Sequence, residues 1–161
     1  MENTFKNIIA QTSPFPMALH IERAEGSYLY TKDGKAYLDF ISGIAVNNTG
    51  HSHPKIIEAI TKQSKEYLHV MVYGEFVQDP QISFAKQLLS TLPNSFNNVY
   101  FVNSGTEANE AAIKLAKRIT GRTELIAFKG AYHGNTHGSL SISANESKKT
   151  AFRPLLPDVR F

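Results

Sequence analysis

One run of sequence constrains the fold more than any other: two short apolar segments flank a long amphipathic one. NVYFV at residues 98–102 predicts a strand buried on both faces, and ELIAF at residues 124–128 predicts a second. The segment between them repeats apolar residues on one helical face, namely Ala108, Ala112, Leu115, Ala116 and Ile119. Strand, helix and strand in so few residues form a βαβ unit, which implies a parallel sheet covered by helices. The predicted fold class is therefore α/β.

Turn and helix signals predict further elements on the amino-terminal side of this run. Asp33-Gly34 separates two β-rich runs within residues 28–40, which predicts a β-hairpin with a two-residue turn at positive φ angles. A proline near the first position opens each of two predicted helices. One is expected over residues 54 to about 69, and the other over about 80–91, with Asp79 as its cap.

Composition excludes several classes of protein. The chain of 161 residues is 42% hydrophobic and 19% charged, which is typical of a globular protein long enough to own a core. Its formal net charge is +3 and its basic residues are scattered, so we expect no nucleic-acid partner. The chain has no cysteine, no apolar stretch of membrane-spanning length and no signal pattern at its start. We therefore expect a cytoplasmic protein without a membrane anchor.

A cluster of small polar residues, Ser104-Gly105-Thr106, joins the first predicted strand to the helix. Unpaired backbone N–H groups and the positive end of the helix dipole meet there, so the junction can bind an anion such as phosphate. The other interpretation is a capping box, with Ser104 or Thr106 as N-cap and Glu107 or Glu110 reaching back. The two interpretations are compatible, and the residues alone leave both open. Neither a Walker loop nor a Gly-x-Gly-x-x-Gly turn is present.

A second candidate segment, KGAYHGNTHG at residues 129–138, follows the second predicted strand. Ligands of open α/β sheets bind at that carboxyl-end edge. Tyr132 and His133 could therefore stand over the anion site, although an aromatic–histidine pair in a loop often only packs locally. The pair of histidines in GHSHP, residues 50–54, lacks an evident third ligand, so we expect a helix entry there and no metal.

Three segments together resemble the class III aminotransferases, which are pyridoxal 5′-phosphate enzymes of fold type I. They are DGKAYLDFISGIAVNNTGHSHP, NSGTEANEAAIKLA and FKGAYHGNTHGSLSIS, in the order and spacing of the family. The resemblance implies the amino-terminal hairpin segment and the first strands and helices of the large parallel-sheet domain. Residues 1–75 would be the amino-terminal segment of the small domain with a linking helix. Residues 76–161 would begin the large cofactor-binding domain.

The resemblance assigns roles to individual residues. The backbone N–H groups of Gly105 and Thr106, with Ser104 nearby, would hold the phosphate of pyridoxal 5′-phosphate. Tyr132 would stack on the pyridine ring, where many relatives have Phe, and His133 would lie close to the ring. The implied reaction transfers an amino group between an amino acid and a 2-oxo acid, with the ring as electron sink.

The resemblance also bears on substrate and assembly. Ser42, Gly43 and Ile44 would line the substrate side, and Ile44 stands where ornithine-specific members have Tyr. Ornithine is thus less favoured, while acetylornithine, 4-aminobutyrate and other ω-amino substrates stay open. Relatives build the site at a subunit interface, so a homodimer is expected.

The Schiff-base lysine of the family has no counterpart by motif in these 161 residues. We therefore expect a fragment whose isolated chain does not transaminate. The alternatives are a non-catalytic phosphate-binding or interaction module derived from the same fold, and a nucleotide-binding α/β protein. A lysine carried on a strand beyond Phe161 would favour the enzyme, and stabilisation by a nucleotide would favour the last alternative.

Overall fold

The structure, a computed structural model, describes residues 2–71 and 73–161. The chain divides into two compact units, Met1–Val77 and Gln78–Phe161, and each is described by itself. No helix in the described part of the chain has the length and apolar character needed to cross a membrane. The predicted domain identities, residues 1–75 and 76–161, stay a prediction.

The first unit holds a three-stranded antiparallel sheet and three helices. Its strands are β1 (Ile21–Glu25), β2 (Tyr28–Thr31) and β3 (Ala36–Leu38), in the order β1-β2-β3. Its helical segments are α1 (Glu2–Ile8), α2 (Ser42–Ala45) and α3 (Pro54–Glu66).

The predicted hairpin is confirmed, but its turn differs from the prediction. β2 and β3 pair antiparallel, and Thr31 N–H donates to the Lys35 carbonyl at 3.0 Å. Three residues, 32–34, therefore form the loop, and of these only Gly34 has a positive φ, of 83°. A three-residue loop needs one left-handed residue at its end, whereas the predicted two-residue turn needs one or two at its centre. The Asp33 carboxylate accepts from the Thr31 hydroxyl at 2.5 Å and stabilises the loop.

The second unit alternates helices with a parallel pair of strands. Its elements are α4 (Asp79–Leu89), α5 (Gly105–Thr120), β4 (Leu125–Ile126), α6 (His137–Ile142) and β5 (Val159–Arg160). Short 3-10 turns, Glu146–Lys148 and Thr150–Phe152, lie between α6 and β5. β4 pairs parallel with β5, with Leu125 opposite Val159 and Ile126 opposite Arg160. A parallel pair joined through a helix is the α/β arrangement predicted from the sequence.

The prediction of a strand over residues 98–102 is wrong. No strand forms there, and the described part of the chain offers that run no ladder partner. A strand exists only through pairing, and the parallel pair instead joins β4 to β5. Phe101 contacts Phe84 of α4, with ring centroids 5.8 Å apart, while the Tyr100 side chain is exposed. The apolar run thus stays largely exposed, with Phe101 41% and Val102 36% accessible.

The two predicted helices are confirmed with different ends. α3 begins at Pro54 as expected but ends at Glu66, because Tyr67 is extended, with φ −166° and ψ 151°. α4 begins at Asp79, which is the first helical residue instead of the expected cap, and Gln78 takes the cap position.

The hydrophobic core is smaller than composition predicts. Ile113 and Leu140 are the only large apolar side chains that are buried among the described residues. The accessible surface of the chain is 13458 Å². Size scaling gives about 8,000 Å² for one compact protein of this mass and about 9,700 Å² for two separate compact units of half that mass. The excess surface therefore arises within the units, whatever their arrangement.

Candidate functional site

The first turn of α5 is capped as the sequence predicts. Ser104 is extended, and its Oγ accepts a hydrogen bond from the Glu107 N–H at 3.1 Å. The Glu107 carboxylate reaches back and accepts from the Asn103 N–H at 2.7 Å. This is a capping box shifted by one residue, because its return bond goes to the residue before the N-cap.

The same turn keeps donors free for an anion. The N–H groups of Gly105 and Thr106 precede the first intrahelical bond, and no described residue accepts from them. A side chain built at Gly105 would meet no atom within 4 Å, so the backbone there is open to a ligand. Ser104 Oγ accepts the capping bond through a lone pair, which leaves its O–H able to donate outward. These donors fit the phosphate group of a cofactor.

The loop that carries Tyr132 and His133 is anchored to α5. The Asn109 side chain donates to the His133 carbonyl at 2.7 Å. The His133 N–H donates to Ser143 Oγ at 2.9 Å. Gly134 lies so close to the Thr106 hydroxyl that a Cβ added to this glycine would overlap it. The structure thus brings residues 133 and 134 to the first turn of α5.

The Tyr132 ring itself is free of aromatic partners among the described residues. Its side chain is 71% exposed, and its hydroxyl donates to Asn135 Oδ1 at 2.8 Å. An exposed ring in a loop that reaches the first turn of α5 can stack on a planar ligand. The stacking role of Tyr132 and the place of His133 beside a ring stay predictions.

Glu110 connects α5 to the loop and α6, a contact that the sequence did not predict. It does not reach back as a capping partner of α5. Its carboxylate accepts from the Thr136 hydroxyl and, at 3.0 Å, from the Ser139 N–H at the start of α6. Burial acts to raise the pKa of Glu110, but the bonds from Thr136 and the α6 backbone outweigh it and hold the pKa below its usual value. No local spacing rule identifies this partner, because 26 residues separate Glu110 from Thr136.

Ser42, Gly43 and Ile44 lie in the first unit, in the short segment α2. Their backbone is left-handed: φ is 47° at Ser42, 62° at Gly43 and 65° at Ile44, and Ala45 continues with 60°. Asp39 holds the segment, since its Oδ1 accepts from the Ser42 N–H at 2.9 Å. The Ile44 side chain is 86% exposed. A substrate-side role for these three residues stays a prediction.

The histidine pair of GHSHP has two different environments. His51 Nε2 lies 2.8 Å from Asp39 Oδ2, and its Nδ1 lies 2.9 Å from the Asn47 amide nitrogen. His53 precedes α3 without forming a side-chain cap, and its Nδ1 is buried without a hydrogen-bond partner in the described part of the chain. Among residues 2–71 and 73–161, no three His, Asp or Glu side chains group as a metal site would require.

Solved structures with the same fold are aminotransferases. The adenosylmethionine-8-amino-7-oxononanoate aminotransferase of Methanocaldococcus jannaschii matches with a TM-score of 0.88 and 35% identity, over 98% of this chain and 39% of that one. The omega transaminase of Pseudomonas jessenii in complex with PMP matches with a TM-score of 0.87 and 26% identity, over 98% and 38%. The fold is that of the pyridoxal-phosphate-dependent transferases of fold type I, present in part, and the predicted fold class is confirmed.

Sequence relatives narrow the class to one family. The family model "Aminotransferase class-III" matches residues 9–161. The acetylornithine aminotransferases of Methanopyrus kandleri and Streptomyces coelicolor are 40% and 42% identical to this chain, over 91% and 88% of its length. The chain spans 36% and 34% of their lengths, about a third. The chain belongs to the class III aminotransferase family, which confirms the resemblance identified from the three motifs.

Proposed function

We propose that the start of α5 binds the phosphate of pyridoxal 5′-phosphate and that the whole protein is an aminotransferase. The observation that carries this proposal is the pair of free N–H groups at Gly105 and Thr106, in a chain that belongs to the class III family. Ser104 adds an outward hydroxyl, and the open space at Gly105 admits the phosphate oxygens. Family membership implies the cofactor, and the donor set fits its phosphate.

Each residue of the site has one task in this proposal. Ser104, Gly105 and Thr106 bind the phosphate and so fix the distance of the cofactor from α5. Tyr132 covers one face of the ring and excludes water from it, and His133 lies at the ring edge. The bound cofactor supplies an electron sink for the carbon that loses its amino group.

The proposed substrates are an ω-amino acid donor and a 2-oxo acid acceptor. The two relatives above are named acetylornithine aminotransferases, and one structural neighbour is an omega transaminase. Ile44, in place of the tyrosine of ornithine-specific members, removes a hydroxyl that could bind a second ammonium group. We therefore favour donors such as acetylornithine or 4-aminobutyrate over ornithine itself. We also propose a homodimer in the cytoplasm: the family resemblance supports the dimer, and a sequence without cysteine fits a reducing compartment.

A comparison of three ligands tests the phosphate site. Pyridoxal 5′-phosphate, pyridoxal and inorganic phosphate are titrated by equilibrium dialysis. Pyridoxal 5′-phosphate should bind at least about tenfold more tightly than pyridoxal, since several N–H and O–H donors meet the phosphate. Inorganic phosphate should compete with it. Equal affinity for pyridoxal and its phosphate would contradict the proposal, and stabilisation by a nucleotide alone would favour a nucleotide-binding protein.

A single-turnover assay tests the transferase activity of the whole protein. An ω-amino donor is added to protein loaded with pyridoxal 5′-phosphate, and formation of pyridoxamine 5′-phosphate is followed by chromatography. Donor-dependent conversion supports the aminotransferase. Tight cofactor binding without conversion by any donor would favour the non-catalytic module instead.

A further inference from the structure

The face of α5 that packs within the second unit is polar at its start. Thr106, Asn109 and Glu110 are all partly buried on this face, one to two turns before the buried Ile113. These three side chains contact the segment that runs from Tyr132 into α6. Hydrogen bonds therefore hold that segment against the start of α5, and the buried Ile113 lies further along the helix.

Glu110 replaces the missing cap of α6. Thr136 holds the N-cap position of that helix, yet its side chain makes no cap bond and donates its hydroxyl to Glu110. The Glu110 carboxylate also accepts from the Ser139 N–H at 3.0 Å. A negative charge at a helix start is favourable, because the free N–H groups point towards it. One carboxylate thus satisfies two donors at the start of α6.

The approach of Glu110 to α6 is as close as the backbone permits. A Cβ added at Gly138 would lie 2.8 Å from the carboxyl carbon of Glu110 and would overlap its Oε2. Gly138 and Ser139 are buried under this contact. The contact therefore requires glycine at position 138 and leaves little freedom for the residues before it.

The position of Tyr132 depends on these anchors, because its side chain makes no hydrogen bond or aromatic ring contact with α5. Its hydroxyl bonds only locally, to Asn135, among the described residues. Its neighbour His133 is tied to Asn109, and the far end of the loop is tied to Glu110 through Thr136. Loss of either tie loosens the hold of α5 on the loop, while bonds from the His133 N–H to Ser143 and from the Ala144 N–H to the Ala131 carbonyl remain.

We propose that Glu110 is a positioning residue for the cofactor ring: by capping α6 with its carboxylate, it holds the loop of Tyr132 and His133 over the phosphate-binding turn. The inference rests on the proposed function, since it concerns where the ring of pyridoxal 5′-phosphate would be covered. Glu110 touches no cofactor atom in this scheme and acts only through the loop.

Two variants of Glu110 test the charge and the length of its side chain separately. Glu110→Gln keeps the shape of the side chain and an acceptor oxygen for Thr136 and Ser139, which both bond to Oε1, but it removes the charge from the start of α6. Glu110→Asp keeps the charge but is one methylene too short to reach α6. The control Glu58→Gln removes a carboxylate from the exposed surface of α3, in the first unit. All three are made in the whole protein, and Thr136→Val, which removes a single donor, replaces Glu110→Gln if that variant does not fold.

The test measures ligand affinity and amide exchange side by side. Both Glu110 variants should bind pyridoxal 5′-phosphate about tenfold more weakly, which is the size of one charge-assisted hydrogen bond. Their affinity for inorganic phosphate should not change, because α5 still presents its own N–H groups. Hydrogen exchange at Gly138 and Ser139 should accelerate by a similar factor without any ligand. Glu58→Gln should match the wild type in all three measurements.

The outcomes distinguish this inference from the function on which it rests. A wild type that does not bind pyridoxal 5′-phosphate refutes the proposed function. A wild type that binds it, with Glu110 variants that bind equally well, overturns the positioning role alone. An equal loss for inorganic phosphate and the cofactor would also overturn it, since general destabilisation of α5 lowers both.

Discussion

Gly134 shows how one missing side chain shapes the candidate site. Its φ of 135° lies where residues with a Cβ are strained, and an added Cβ would lie 2.6 Å from Ser139 Oγ and overlap Thr106 Oγ1. The loop can therefore approach the first turn of α5 only because this residue is glycine. Gly130, in the same loop, has a positive φ of 76° but open space around it.

This difference predicts unequal effects of two identical substitutions. Gly134→Ala should lower the free energy of unfolding of the second unit by about 3 kcal/mol, from backbone strain and overpacking together. Gly130→Ala should lower it by about 1 kcal/mol, from the positive φ alone. Urea unfolding followed by circular dichroism measures both values. Similar effects of the two changes would mean that the Thr106 side chain moves aside for the added methyl group without loss of stability.

Asp39 makes the segment around α2 sensitive to acid. Hydrogen bonds from His51, then from the Ser42 and Ile41 backbone, hold the pKa of Asp39 below its usual value of 3.8. A carboxyl with a lower pKa in the folded protein stabilises it above the unfolded pKa, and that contribution is lost as pH falls through the folded value. Exchange of the Ser42 amide, corrected for its intrinsic rate, should accelerate below about pH 3.8.

A pair of aspartate variants tests the cause of this pH dependence. Asp39→Asn should accelerate exchange at Ser42 at neutral pH and remove its acid dependence. Asp33→Asn serves as the control, because the pKa of Asp33 is also lowered, by Thr31 and Lys35, but in the hairpin loop. Unchanged exchange at Ser42 in Asp39→Asn would show that other contacts hold the segment.

At the level of elements, the first turn of α5 holds both a helix cap and the proposed anion site. The cap uses the oxygen lone pair of Ser104, and the proposed site uses its O–H and the free N–H groups of Gly105 and Thr106. The two functions need different chemistry at residue 104. Any good N-cap satisfies the helix, but only a neutral one tolerates a phosphate beside it.

Two changes at residue 104 separate these functions. Ser104→Ala should lower stability by about 1 kcal/mol, because the Glu107 N–H loses its acceptor. Ser104→Asp should keep the stability of the wild type but bind pyridoxal 5′-phosphate at least about tenfold more weakly, through repulsion between like charges. Chemical unfolding and cofactor titration give the two values. Cofactor affinity that is indifferent to the aspartate would place the phosphate elsewhere.

Local signals predicted the elements whose causes are local. The proline and cap signals of α3 and α4, the hairpin at Gly34 and the capping of α5 by Ser104 all depend on neighbours within a few residues. Residues 98–102 have the composition of a strand. A strand also needs a partner from another part of the chain, and the pattern of residues 98–102 does not specify one. The link from Glu110 to α6 escaped prediction for the same reason.

At the level of the whole molecule, most large apolar side chains are exposed. The predicted apolar face of α5 is an example: Leu115 is 58% exposed and Ile119 is 73% exposed. The helix instead packs through Thr106, Glu110 and Ile113, a face that the apolar pattern did not select. Ile126 and Phe128, in and after β4, are exposed as well. Exposed apolar surface on this scale favours association.

The 161-residue chain, expressed alone, should therefore self-associate and bind a hydrophobic dye. Leu115→Lys with Ile119→Lys should reduce both, since these two positions are more than half exposed and contribute apolar surface. The pair Lys114→Ala and Lys117→Ala, on the same helix, is the control for a change of surface composition and should not reduce association. Light scattering and dye fluorescence measure the effects. A monodisperse monomer with a cooperative melt would contradict this prediction.

The left-handed backbone of α2 reverses a common rule about glycine. Ser42, Ile44 and Ala45 each bear about 1–2 kcal/mol of steric cost in this conformation, and only Gly43 does not. A right-handed turn of the same length would carry no such cost, so the bonds from Asp39 oppose a local preference for the other hand. Glycine weakens an ordinary helix, but at residues 44 and 45 it would lower the steric cost of the left-handed backbone. The wild-type side chains at these two positions impose that cost.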